Sequence, residues 1–120
     1  MRTLVLLAVL ALPLVARAEA DLVVADCQVT ALEGERWVVR LRSTGAQAFD
    51  VVDEGDAVVV RLHGARAGDV VMPAPGAYGT LSIDEDESGV VVRVEPSDPG
   101  WRVTARQGAS PNEVELRIAR

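Results

Sequence analysis

WVVRLRSTGAQAFDVVDEGDAVVVRL, residues 37–62, and VVVRVEPSDPGWRVTARQGASPNEVELRI, residues 90–118, are two versions of one pattern. In the first, Trp37, Val39 and Leu41 alternate with Val38, Arg40 and Arg42, and Val58, Val60 and Leu62 alternate with Val59, Arg61 and His63. In the second, Val90, Val92 and Val94 alternate with Val91, Arg93 and Glu95, and Val114, Leu116 and Ile118 with Glu113, Glu115 and Arg117. Phe49 and Val51 repeat the alternation in one copy, and Trp101, Val103 and Ala105 in the other. A period of two with one polar side is the pattern of antiparallel strands covered on one face only. No long window keeps the 3.6-residue period of a helix. The expectation is an all-β, two-layer sandwich of antiparallel sheets with halves related by a pseudo-twofold and little helix.

The two halves extend outward from these stretches, over about residues 27–63 and 79–119. A short strand precedes each, Val29 to Leu32 and Thr80 to Ile83, followed by an acidic turn. Each half then has an apolar triplet ending in Arg (Arg40, Arg93), an aromatic opening the next strand (Phe49, Trp101) and a last strand with an outward Arg (Arg61, Arg117). Between them, Gly64 to Gly79 contains Gly68, Pro73, Pro75 and Gly76 and leaves room only for a short extended piece at Val70 to Met72. Each half is expected to form a meander whose apolar face packs on the other's. The centres of the alternating strands, Trp101, Val92, Val39, Leu41, Val60 and Leu116, are the expected core.

The N-terminus carries a different signal. Arg2, an apolar run from Thr3 to Val15 and the small residues of Ala16-Arg17-Ala18 follow the order of a secretory signal peptide. The run is shorter than the roughly 20 residues a spanning helix needs. Residues 1–18 are therefore expected to be removed, leaving residues 19–120 as a single exported domain with no mature transmembrane segment. The expected location is the periplasm.

All 12 basic residues counted as Lys or Arg are Arg, against 18 acids, and the formal net charge is −6. Loss of Arg2 and Arg17 makes the exported chain more acidic still. Nucleic acid, bound chiefly by neutralising phosphates, is excluded as an expected partner. Cys27 is the one cysteine, so no disulfide forms within the chain; its alternation with Val29 and Ala31 places it as a small inward hydrophobe, with a free surface thiol as the other reading.

Sites for chemistry are sparse. His63 stands at a strand end on the outward stripe with Val59 and Arg61. The carboxylates gather in turns, not as a pair held roughly 5–9 Å apart across a cleft. Asp84, Asp86, Ser88, Gly89 and Glu95 imitate the ligand order of a calcium loop, but that loop needs flanking helices where this sequence has strands. No catalytic residue, metal ligand or cofactor is assigned, and the chain is not expected to be an enzyme. The arginines are more promising. Arg40, Arg42, Arg61, Arg93, Arg102, Arg106 and Arg117 lie on outward faces, and neighbouring strands bring such side chains close enough for several to form a stripe. Guanidinium groups suit carboxylates by bidentate hydrogen bonding, and Arg40, Arg42, Arg61 and Arg93 are the candidate ligand-binding residues. The competing role for them is neutralising acids such as Asp50, Glu95, Glu113 and Glu115 across strands.

The succession W-V-V-R-L-R-S-T-G, F-D-V-V-D-E-G-D-A-V-V-V-R-L-H-G-A-R and G-T-L-S-I-D-E-D-E-S-G-V-V-V-R-V, behind a signal peptide, resembles the AMIN domain. The likeness spans about residues 27–119. That family stands at the N-termini of periplasmic N-acetylmuramoyl-L-alanine amidases and of secretins. Its strand corresponding to Ala57–Leu62 usually ends in an acidic residue, Leu and Gly, where this chain has Arg61-Leu62-His63-Gly64. The resemblance implies a β-sandwich that binds peptidoglycan and localises its bearer to the cell wall. Neither a zinc amidase domain nor secretin repeats is read in the 120 residues, so the expectation is either a free-standing copy of the module or a chain that kept the fold and lost that role. The alternative is an accessory of a secretin, type IV pilus or division assembly. It would bind an envelope protein through a sheet edge or surface contacts and never touch glycan.

Overall fold

A computed structural model describes residues 22–120. The expected signal peptide lies outside the described residues. Nine strands and no helix are assigned among them: β1 (Val23–Leu32), β2 (Arg36–Ser43), β3 (Phe49–Asp53), β4 (Val58–His63), β5 (Arg66–Ala67), β6 (Gly79–Asp86), β7 (Gly89–Pro96), β8 (Arg102–Gln107) and β9 (Glu113–Ala119). They form two sheets, one in the order β5-β1-β2-β9-β8 and one in the order β3-β4-β7-β6. The two pack as a β-sandwich, in agreement with the alternation in the sequence. No helix of the described residues is long and apolar enough to cross a membrane.

The internal symmetry takes a form that differs from two stacked meanders. Each half contributes one hairpin to each sheet: β1-β2 and β8-β9 share the first, β3-β4 and β6-β7 the second. Exchanging β1, β2, β3 and β4 for β6, β7, β8 and β9 turns the order β1-β2-β9-β8 into β6-β7-β4-β3, which is the other sheet. The register obeys the same exchange. Trp37 pairs with Ile118 as Val90 pairs with Leu62, and Val39 with Leu116 as Val92 with Val60. In this register Phe49, opposite Leu62, is the counterpart of Val103, opposite Ile118. It is not the counterpart of Trp101, as the sequence suggested. Short connections between strands in different sheets explain the swap: after β2, residues 44–48 cross to the second sheet, and residues 97–101 cross back after β7.

The inward residues of the four central strands make the core. Val39, Leu41, Val60, Leu62, Val92, Val94, Leu116 and Ile118 are all at most 1% exposed. Each such side chain contributes about 1.5–3 kcal/mol of burial. Trp101 departs from expectation. It is only partly buried, because it enters the edge strand β8, which has a neighbour on one side alone. The extended piece expected at Val70 to Met72 is not a strand. Its place is taken by β5, which pairs parallel with Val23 and Val24. In β1 a register shift between Val24 and Asp26 lets both Val24 and Cys27 reach the core.

Gln47 stitches the sheets together at the first crossing. Its Oε1 accepts from Ser43 Oγ at 3.0 Å, and its Nε2 donates to the carbonyls of Ala48 (2.7 Å) and His63 (3.0 Å). The side chain is 5% exposed, so these bonds replace lost water contacts. At the β6-β7 turn, Gly89 has a φ of 147°, and a Cβ there would collide with the carbonyl oxygen of Leu62. Only glycine lets β4 approach the turn so closely.

Candidate functional site

The outer face of the five-stranded sheet is built by parity. In β2, Trp37, Val39 and Leu41 face the core, so Arg36, Val38, Arg40 and Arg42 face out. In β9 the outward set is Glu113, Glu115 and Arg117, and in β8 it is Arg102, Thr104 and Arg106. Pairing aligns these into rows. Gln28, Arg40, Glu115 and Arg106 form one, and Asp26, Arg42 and Glu113 another. Thr30, Val38, Arg117 and Thr104 form a third, and Leu32, Arg36, Ala119 and Arg102 the last. These rows hold six arginines against three carboxylates, on a protein whose formal charge is −6.

Two of those carboxylates lie beneath the arginines. Glu113 and Glu115 are each 7% exposed. Arg42 Nη2 lies 3.4 Å and Arg40 Nε 3.8 Å from Glu113. Arg117 Nε lies 2.8 Å and Arg106 Nη2 3.3 Å from Glu115. The hydrogen bond from Arg117 holds the Glu115 carboxyl below its ordinary range, against the opposing effect of burial, with Arg106 and Arg40 adding their charge. The four arginine side chains keep 42–60% of their surface in solvent, so they are anchored to the carboxylates and still partly open.

At the end of this face a cavity of about 260 Å³ has Leu32, Val38 and Ala119 among its apolar lining and Arg36, Arg102, Arg117 and Arg120 around it. Val38 is 2% exposed although it points away from the core. Arg36 Nε donates to the Glu33 carbonyl at 2.7 Å, and Arg120 pairs with Glu35 at 3.3 Å. Neither Arg36 nor Arg102 has a carboxylate partner among the described residues. Cationic rims over an apolar floor suit an anion that carries an apolar body.

The other outer face has the opposite balance. Arg61 donates to Asp86 and Ser88, each at 2.5 Å. Arg93 is held by Glu54, by Glu95 at 3.0 Å and by Asp56 at 3.8 Å. His63 lies 3.0 Å from Asp50. The four candidate arginines are therefore not one stripe. Arg40 and Arg42 are neighbours on the basic face, while Arg61 and Arg93 sit on the opposite side of the sandwich, enclosed by acids. The sequence reading missed Arg36, although it shares the parity of Arg40 and Arg42 two turns of the pleat away.

The remaining candidates resolve simply. Asp86 Oδ1 accepts from the Ser88 and Gly89 backbone N–H groups, closing the turn, while Glu95 pairs opposite Thr80 at the far end of the hairpin. The residues of the calcium-like order are thus spread along a hairpin. Cys27 is buried, and burial with the nearby Asp26 charge pushes its thiol up to about 12. Such a thiol stays protonated and unreactive at neutral pH.

No family model matches the chain, and no curated protein or solved structure matches it.

Proposed function

We propose that the chain is a non-catalytic periplasmic module that binds peptidoglycan through the basic face of its five-stranded sheet. The observation that carries this reading is the local excess of arginine over carboxylate on that face of an otherwise acidic protein. Peptide stems present carboxylates on an uncharged backbone. Guanidinium groups pair with them bidentately, and the exposed Leu32 in the cavity lining offers an apolar contact for small aliphatic side chains. The secretory N-terminus and the resemblance of the strand pattern to AMIN domains point the same way. Because the net charge is negative, attraction depends on the local arginine field and is sensitive to salt.

The test is co-sedimentation with isolated sacculi. Wild-type protein pellets at low salt and is released as salt rises. The Arg36→Gln variant, which breaks no carboxylate pair and lies away from the sheet edges, binds several-fold more weakly. Arg93→Gln, on the acidic face, binds as wild type does. Wild-type protein that stays in the supernatant at low salt removes this reading. Equal loss in Arg93→Gln removes the assignment to the basic face.

A further inference from the structure

The two sides of the sandwich are finished differently. On one side, the edge strand β5 is only two residues long, and its Ala67 N–H donates to Glu85 Oε1 of the other edge strand, β6, at 3.2 Å. On the other side, β3 and β8 end their sheets with no further strand paired to them among the described residues. The two edges meet at one end, where a cavity of about 430 Å³ is lined jointly by the β3-β4 turn and the start of β8.

Which backbone groups are free follows from the pairing. His63 N–H donates to Ala48 O at 3.0 Å, and Glu54 N–H to Ala57 O at 2.8 Å, so even-numbered residues of β3 bond to β4. The N–H and C=O groups of Phe49, Val51 and Asp53 therefore face outward along the sheet. Gly108 N–H donates to Glu113 O at 2.8 Å, which by the same rule leaves Val103, Ala105 and Gln107 free on β8. Two of the four exposed large hydrophobic residues among the described residues, Val51 (41%) and Val52 (55%), lie on β3. Edge strands of monomers are usually shielded by charge, brevity or cover; Asp50 and Asp53 flank these valines, but nothing covers the valines themselves among the described residues.

We infer that a second copy of this chain occupies these edges, with β3 of each copy pairing antiparallel to β8 of the other. The register that joins Val51 to Ala105 sets Asp50 opposite Arg106, Val52 opposite Thr104 and Glu54 opposite Arg102 on the outer face. Both charged pairs are complementary. Pairing β8 with itself through Val103 and Ala105 would instead set Arg102 against Arg106. The internal exchange that makes β3 and β8 counterparts gives both edges the same pattern of free groups. A twofold parallel to the strands then forms both pairings at once and closes the assembly as a dimer. The result is two continuous sheets with the β3 and β8 edges removed. Arg102 and Arg106 also belong to the basic face, so the inference shares residues with the proposed binding surface, and sedimentation of the protein without any wall ligand tests it separately.

Sedimentation velocity of the purified protein tests it. The expected species at about 100 µM and low salt is a dimer, which dissociates several-fold more readily when salt screens the charged pairs. Val51→Pro removes an N–H that serves the free edge and no bond to β4, so it gives a folded monomer. Asp50→Arg changes an exposed side chain outside the core and weakens dimerisation about tenfold. Adding Arg106→Asp to it restores the dimer. Circular dichroism and the urea midpoint of each variant establish that it is folded. A wild-type monomer at all concentrations overturns the inference, as does a folded Val51→Pro that still dimerises. A double variant no tighter than Asp50→Arg alone overturns the register.

Discussion

The indole rings of Trp37 and Trp101 lie with centroids 4.9 Å apart and planes inclined by 33°. Trp37 opens β2 and Trp101 leads into β8, so the pair spans the intervening strand β9 at the end of the core. Offset, tilted contacts of this kind add about 0.5–1.5 kcal/mol to the burial of the rings. The contact also anchors the connection by which the chain returns to the first sheet.

Trp101→Ala is expected to cost about 2 kcal/mol, below the usual range for a fully buried Trp because the ring is only partly covered. Trp101 Nε1 is buried without a hydrogen-bond partner, which works against the native residue. Trp101→Phe keeps a ring and removes that donor, so its urea midpoint should lie much closer to wild type. A phenylalanine variant as unstable as the alanine one would show that ring size, not the orphaned donor, governs the site.

The Asp86 carboxyl is lowered to about 2, first by the hydrogen bond from Arg61 and then by those from Ser88. Its folded value lies below its unfolded one, so the stabilisation is present above about pH 4 and disappears as pH falls through about 2. Arg61→Gln should move the Asp86 titration, followed by carboxyl carbon NMR, up toward the ordinary aspartate range. The variant and wild type should differ in stability at pH 5 and converge near pH 2. An unchanged Asp86 titration in Arg61→Gln would assign the shift to the turn backbone instead.

Gln47→Ala should cost about 1–3 kcal/mol, because Ser43 Oγ and the His63 carbonyl lose a partner that no water easily replaces. Amide exchange should quicken around both crossing residues if Gln47 joins the sheets. A loss confined to residues 44–48 would limit its role to the loop.

The sandwich was legible because burial imposes a strict parity on each strand, and Val39, Val60, Val92 and Leu116 obey it. The halves were legible as repeats for the same reason. Their partition between sheets was not, because parity says which face a residue takes and nothing about which strand lies beside it. The arginines show the same limit. Outward orientation was readable for Arg40, Arg42, Arg61 and Arg93, whereas their division between opposite faces depends on the pairing of β2 with β9 and of β4 with β7. Trp101 was misplaced because alternation does not reveal that a strand stands at an edge. The aromatic at Phe49 compounded this by suggesting an alignment that the register shifts by two residues.

Because β9 lies between β2 and β8, the first sheet has no continuous ladder until the last strand is in place. The Arg42–Glu113 contact alone closes a separation of 71 residues. Partners this distant in sequence make folding slow, since chain closure must precede any reward from the contact. During synthesis, the β1-β2 hairpin and the inner face of the second sheet must therefore wait for residues 113–119 to emerge. Cutting the chain before Glu113 would leave them permanently uncovered, as a substrate for proteases and aggregation in place of a smaller stable domain.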